Sequence, residues 1–309
     1  MEYLLLITGL VLLIVAGELL VRGAVGIALK FNISPLVIGM TIVAFGTSAP
    51  ELLVSLKAAL EGHPEISIGN VVGSNIANIA LVLGITTIIL PINVRKSTLR
   101  IDWPIMMLST VAFFLFILNN VIEWWEGILF VIALVLYNFL MIKKSRATSE
   151  IDDELEENTK KDALLKNIVF VIGGTIGLAF GARWLLDGAI KIALNFNVSE
   201  YVIGATIVAF GTSVPELVTS VIAACKKQTD ISVGNLIGSN IFNLLGVLGI
   251  TSLVKEIPVS VQVQQEDVYW LLGISLFLFP LMYFNHRINR LKGILLTLAY
   301  ISYIYFVMK

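Results

Sequence analysis

Residues 31–84 and 196–249 are two copies of one unit. They match at 32 of 54 positions without a gap, and the run Thr41 to Ser48 returns unchanged as Thr206 to Ser213. Any fold for this chain must place the same segment twice, with Phe31 returning as Phe196. Both copies are strongly apolar, and so is their surrounding sequence. Of 309 residues, 57% are hydrophobic and only 14% charged, whereas a soluble domain carries about 25% charged residues. That excludes an ordinary soluble protein, a disordered chain and a disulfide scaffold. The net charge of −1 offers no basic face to nucleic acid, and Cys225 is the single cysteine.

A membrane-crossing helix needs about 20 apolar residues. Apolar runs bounded by polar interruptions give ten such spans, roughly 3–22, 33–60, 66–91, 103–120, 122–142, 165–190, 199–225, 231–254, 267–285 and 289–308. The first, about Tyr3 to Val21, lacks a basic leader and a small-residue cleavage site, so it reads as a retained helix. The expected fold class is an all-α polytopic membrane protein. Its first half covers 1–142 and its second half 167–309. A hydrophilic linker at 143–166 joins them, with seven acids between Glu150 and Asp162.

Five spans per half is an odd number, so the second copy enters the membrane from the opposite side. The result is ten transmembrane helices in two inverted five-helix repeats. Secondary transporters are built this way, with their site at the bilayer midplane between the halves. Sixteen of the 21 Lys and Arg residues fall on the odd-numbered connections. Basic loops stay cytoplasmic, so the expectation is a multi-pass cell-membrane protein in the lipid bilayer, with a cytoplasmic linker and both termini outside. A single copy is expected to function.

The densest polar cluster within the spans is Gly46-Thr-Ser-Ala-Pro-Glu51, echoed by Gly211-Thr-Ser-Val-Pro-Glu216. A carboxylate at the centre of a membrane helix costs roughly 2.5–3.5 kcal/mol on insertion scales. Two of them, at equivalent points of an inverted repeat, would repel. No Lys or Arg stands at matching depth, so a cation is the missing partner. Pro50 and Pro215 lack the N–H that would bond Gly46 and Gly211, and each is expected to break its helix and release carbonyls around 44–46 and 209–211. Thr47 with Glu51, and Thr212 with Glu216, are four apart and share a helix face. Hydroxyls, carboxylates and carbonyls are hard oxygen ligands suited to Ca²⁺ or Na⁺. No His or Cys joins them, which disfavours a soft transition metal.

The third span of each half reads Gly69-Asn-Val-Val-Gly-Ser-Asn-Ile-Ala-Asn78 and Gly234-Asn-Leu-Ile-Gly-Ser-Asn-Ile-Phe-Asn243. Ser74 and Asn78, like Ser239 and Asn243, can offer neutral oxygen to the same centre. The paired glycines and Asn70, Asn75, Asn235 and Asn240 are equally consistent with close helix packing and interhelical hydrogen bonds. Glu18 with Arg22, and Arg183 with Asp187, read as local salt bridges. Trp103, Trp124, Trp125 and Trp270 read as interfacial anchors.

These motifs resemble the cation/Ca²⁺ exchanger superfamily, most closely its prokaryotic Na⁺/Ca²⁺ exchangers, over essentially the whole chain. The resemblance implies a core of spans two, three, seven and eight, with spans one and six sliding past it as a gating pair. It implies Glu51, Glu216, Thr47 and Thr212 as Ca²⁺ ligands. It also implies Na⁺ sites drawing on Ala44, Ser48 and Ser74 on one side and Ala209, Ser213 and Ser239 on the other, with Asn78 and Asn243 completing the centre. Part of the family has Asp at one of these last two positions; here both are Asn. The K⁺-dependent exchangers use an acid in this region and are disfavoured.

The function expected is secondary antiport of Na⁺ for Ca²⁺ by alternating access, with no cofactor and no enzymatic step. The alternatives are a Ca²⁺/H⁺ or K⁺-dependent antiporter, with a cation channel further behind.

Overall fold

The computed structural model describes residues 2–148, 164–196 and 209–307. The acidic core of the linker, Glu150 to Asp162, and residues 197–208 of the second copy lie outside the described residues. Ten apolar helices follow one another: α1 Glu2–Phe31, α2 Pro35–Leu60, α3 Glu65–Ile89, α4 Thr98–Asn119, α5 Trp124–Thr148, α6 Leu164–Asn195, α7 Val214–Cys225, α8 Thr229–Val254, α9 Val263–His286 and α10 Arg290–Val307. Among the described residues nine of these are long and apolar enough to cross a membrane, and α7 is shorter. A helical turn, Ala209–Gly211, precedes it. Helices α1 and α6 exceed the expected spans, at 30 and 32 residues. With a rise of about 1.5 Å per residue, each is roughly 45 Å long, more than the hydrocarbon thickness requires.

The inversion is visible in how α1 meets α6. A methyl group added to Gly9 would lie 2.5 Å from the Leu185 amide nitrogen, and one on Gly23 would lie 2.6 Å from the Asn167 carbonyl. Residue numbers rise along one helix as they fall along the other, so equivalent helices of the two repeats run antiparallel. Small residues permit this approach where no water drives association.

Two short antiparallel strand pairs tie the connections together. Strand β1, Ile92–Asn93, pairs with β4, Arg287–Ile288; β2, Val121–Ile122, pairs with β3, Ile257–Pro258. Each pair joins one repeat to the other, and the two pairs exchange under the repeat relation. Backbone turns repeat as well. Asn120 and Asn285 both take a left-handed φ of 65°, and Gly62 and Lys227 take φ of 93° and 61°. Lys227 bears the steric cost that Gly62 avoids, so the chain path is retained even where the residue is not.

Helices α3 and α8 are the most enclosed, with 72% and 83% of their apolar windows buried, against 22% for α6 and α10. The central group is thus α2, α3, α7 and α8, with α4, α5, α9 and α10 outside it and the α1–α6 pair across one face. Leu4, Ile7, Val11, Ile14 and Val15 of α1 are exposed, as apolar side chains facing lipid are. Two expectations are corrected here. Glu18 pairs with Lys226, at the end of α7, at 2.6 Å rather than with Arg22, whose guanidinium sits 5.7 Å from the Phe170 ring centre. Trp103 donates its Nε1 proton to the Ser275 carbonyl of α9 at 2.9 Å and stacks against Phe279. It is a packing residue between α4 and α9, because its ring turns inward from the helix end.

Candidate functional site

Three local features bring the polar motifs together. Helix α2 carries a π-helical turn at Gly39–Val43 immediately before Ala44. Helices α3 and α8 carry π-helical turns at Ala77–Val82 and Asn243–Leu248, which hold Asn78 and Asn243. Such turns are rare in helices and concentrate at functional sites, since each shifts the register and re-aims a side chain. The turn with Asn78 packs on α7, and the turn with Asn243 packs on α2, so each repeat completes the other.

Glu51 and Glu216 are both fully buried and are electrostatic neighbours. Among the described residues, neither oxygen of Glu51 has a hydrogen-bond partner. Glu216 accepts a hydrogen bond through Oε1 from Ser48 Oγ at 2.8 Å, and its Oε2 has no partner among them. The buried side-chain amides of Asn78 and Asn243 and the hydroxyl of Ser213 likewise have none among the described residues. A buried ionised group without a counter-charge is among the costliest features a fold can carry. Here the oxygens of two carboxylates, two amides and several hydroxyls gather with no protein cation bonded to either carboxylate. They fit a hard cation that takes six to eight oxygens.

The hydroxyls pair across the repeats. Thr47 Oγ1 lies 3.3 Å from Ser239 Oγ, and Ser74 Oγ lies 3.3 Å from Thr212 Oγ1. Within the expected groups of Ala44, Ser48 and Ser74 and of Ala209, Ser213 and Ser239, the hydrogen bonds bring Ser74 to Thr212, Ser239 to Thr47 and Ser48 to Glu216. The cause is the crossed packing of α3 on α7 and of α8 on α2, which spacing along one helix does not reveal.

The expected break at both prolines occurs at only one. Helix α2 runs unbroken from Ala44 to Leu60 through Pro50, while the second copy is interrupted at Thr212–Ser213 just before Pro215. In the first copy the Ala44 carbonyl accepts the Thr47 hydroxyl at 3.3 Å. The buried face of α2, with Ala44, Thr47, Ser48 and Glu51 enclosed, is packed along this stretch while Phe45 and Leu53 stay exposed. Sequence reasoning also left Asn235 undecided. It accepts from Thr47 Oγ1 at 3.0 Å, a contact that only the crossed packing creates.

The family of the sodium/calcium exchanger protein matches residues 1–143 and 166–309. The chain belongs to that family. It is 38% identical to the putative antiporter CaxA of Alkalimonas amylolytica over 307 residues, 97% of this chain and 96% of that protein. It is 30% identical to the sodium/calcium exchanger MaX1 of Methanosarcina acetivorans, over 98% of this chain and 97% of that one. Among solved structures it superimposes on the sodium-calcium exchanger NCX_Mj, soaked with zero Na⁺ and Ca²⁺, with a TM-score of 0.83. That match has 35% identity and covers 99% of this chain and 98% of the other. The exchanger fold is thus an all-α membrane architecture of ten helices in two inverted repeats, and the chain is a secondary transporter rather than an enzyme.

Proposed function

We propose that Glu51 and Glu216 carry the cargo: one Ca²⁺ in one load and several Na⁺ in the other, exchanged across the membrane by alternating access. The observation behind this reading is the pair of fully buried carboxylates whose oxygens no donor among the described residues satisfies, save one by Ser48. Two negative charges balance one Ca²⁺. The Thr47 and Thr212 hydroxyls complete its shell, with the Asn78 and Asn243 amide oxygens at the centre. Na⁺ uses the same carboxylates together with the Ala44 and Ala209 carbonyls and the hydroxyls of Ser48, Ser74, Ser213 and Ser239. In this reading they group as Thr47 with Ser239 and Thr212 with Ser74.

Because both loads need the same carboxylates, they exclude each other. An empty site keeps its two negative charges and does not cross. A ligand drives a conformational change only through differential interaction with the two states, and neutralising the carboxylates supplies it. The activity calls for no cofactor.

Proteoliposomes loaded with Na⁺, K⁺ or acid, one gradient at a time, test this by ⁴⁵Ca²⁺ uptake. Uptake driven by outward Na⁺ alone is the expected result, and uptake driven only by a proton or K⁺ gradient overturns it.

The linker is cytoplasmic, both termini are outside, and one copy suffices. The basic residues on odd-numbered connections support that orientation. A membrane-impermeant maleimide on intact cells, in a Cys225→Ser background, should label a cysteine placed at residue 2. One placed within 149–163 should stay protected, and the reverse pattern overturns the orientation.

A further inference from the structure

The two Gly-Asn-x-x-Gly-Ser-Asn motifs hold equivalent asparagines, Asn70 and Asn235, that bond differently. Both donate Nδ2 to a serine on the neighbouring helix of their own repeat: Asn70 to Ser55 Oγ at 3.1 Å and Asn235 to Ser220 Oγ at 3.0 Å. Asn70 spends its amide within its own repeat, donating also to the Glu51 backbone carbonyl at 3.3 Å. Asn235 reaches across the repeats, and its Oδ1 accepts the Thr47 hydroxyl at 3.0 Å. Asn235, Ser220 and Thr47 are all fully buried.

Thr47 has one proton and several possible acceptors. Glu216 lies beside it, and the Ala44 carbonyl is 3.3 Å away. A hydroxyl proton given to the Glu216 carboxylate would satisfy that oxygen from within the protein, in competition with a cation. A proton given to Asn235 leaves the carboxylate free and turns the lone pairs of the Thr47 oxygen away from the amide. The Ser220 contact at 3.0 Å restrains the position of the amide, so that it meets Thr47 without the motion of a free side chain.

We infer that Asn235 is a positioning residue: it draws the Thr47 proton away from Glu216, so that both oxygens face the cargo ion, and it does so on one side of the site only. The inference rests on Thr47 being a ligand, as proposed above. Thr212, the counterpart of Thr47, meets Ser74 instead and has no such bond to Asn70 among the described hydrogen bonds.

A double-mutant cycle on reconstituted protein separates this role from packing. The half-saturating Ca²⁺ concentration of Na⁺-driven uptake is measured for Asn235→Leu, Thr47→Val and the pair. Loss of one buried hydrogen bond is worth about 1 kcal/mol, so Asn235→Leu should raise that concentration about fivefold. In the Thr47→Val background the same substitution should change it less than about twofold, because the proton it directs is gone. An equal fold-change in both backgrounds overturns the inference and leaves Asn235 as packing. A Thr47→Val variant without any shift of its own is a different failure, that of the ligand assignment.

If Asn235→Leu does not reach the membrane folded, Ser220→Ala answers the same question, since it frees the amide while keeping it in place. Its Ca²⁺ shift should be smaller, in the same direction, and abolished by Thr47→Val. A Ser220→Ala shift that persists undiminished in Thr47→Val overturns the inference.

Discussion

Gly46 to Glu51 and Gly211 to Glu216 differ at one position, Ala49 against Val214, yet they are built differently. The first lies within a continuous helix that passes through Pro50, and the second begins a new helix after an interruption at Thr212–Ser213. Ser48 donates to the other repeat's carboxylate, while its twin Ser213 has no partner among the described residues. Among the same residues Glu51 has no donor on either oxygen, and Glu216 has one. One motif thus supports two local structures, and the surroundings choose between them. Proline makes that choice shallow, because it removes one helical hydrogen bond from the continuous form and so narrows its advantage over the broken one.

The comparison breaks first at the carboxylates. Glu51→Gln and Glu216→Gln should each abolish Na⁺-driven ⁴⁵Ca²⁺ uptake, by at least about a hundredfold, since removing one partner from a buried charge cluster costs about 3–5 kcal/mol. Both must fail although only Glu216 has an internal donor. Normal flux in either variant would show that the two repeats are unequal in kind, with one carboxylate a spectator.

The serines sharpen the contrast. Ser48→Ala removes a hydrogen bond to a charged group, worth about 1.5 kcal/mol or roughly tenfold. Freed from that competing donor, Glu216 should bind Ca²⁺ more tightly, and the half-saturating Ca²⁺ concentration should fall by up to about that factor. Ser213→Ala removes no bond to a carboxylate and should act on the Na⁺ dependence instead. If the two serine variants shift Ca²⁺ equally, the asymmetry at Glu216 does not matter during transport.

Glycines extend the test to the packing. A methyl added to Gly238 would lie 2.5 Å from the Met40 Cα and one on Gly234 2.4 Å from the Leu36 carbonyl, both backbone atoms of α2. Gly238→Ala should therefore lower the melting temperature of purified protein, by about 1–3 kcal/mol of stability. A Gly238→Ala variant that melts with the unmodified protein would mean that α8 moves off α2 at no cost.

Much of this was legible in the sequence, for identifiable reasons. The duplicated unit is identical enough to be read directly, and odd parity then implies the inversion that the α1–α6 contact displays. Glu51 and Glu216 stand out because nothing else in an apolar span resembles them. What stayed hidden depends on contacts between repeats: the Thr47–Asn235 bond, the Ser74–Thr212 pair, and the unequal fate of two prolines. Outside the duplicated unit the repeat relation fades from view as well. Asp102 lies beside Tyr137, and Asp267 accepts from Tyr303 at 3.4 Å. These are equivalent pairs, but Tyr303 stands one position further from Asp267 than Tyr137 does from Asp102. That single insertion, with little identity around it, is enough to mask the match.

The smallest effect belongs to the α1–α6 pair. Glu18 of α1 pairs with Lys226 at 2.6 Å, with both side chains about half exposed. Its equivalent on α6 is Arg183, of opposite sign, which has no ion pair among the described residues. An exposed pair contributes about 0.2–1 kcal/mol and is screened by salt. Lys226→Gln should therefore change thermal stability by less than about 1 kcal/mol, and that difference should shrink as ionic strength rises. If the pair also holds α1 against α7 during turnover, the exchange rate should change more than stability does. The charge-reversed pair Glu18→Lys with Lys226→Glu should then restore it. A rate that ignores both variants would assign the contact to the resting surface alone. The docking of α1 on the core would then rest on Gly17, where an added methyl would meet the Ile222 and Val218 side chains of α7 at 3.0 and 3.4 Å.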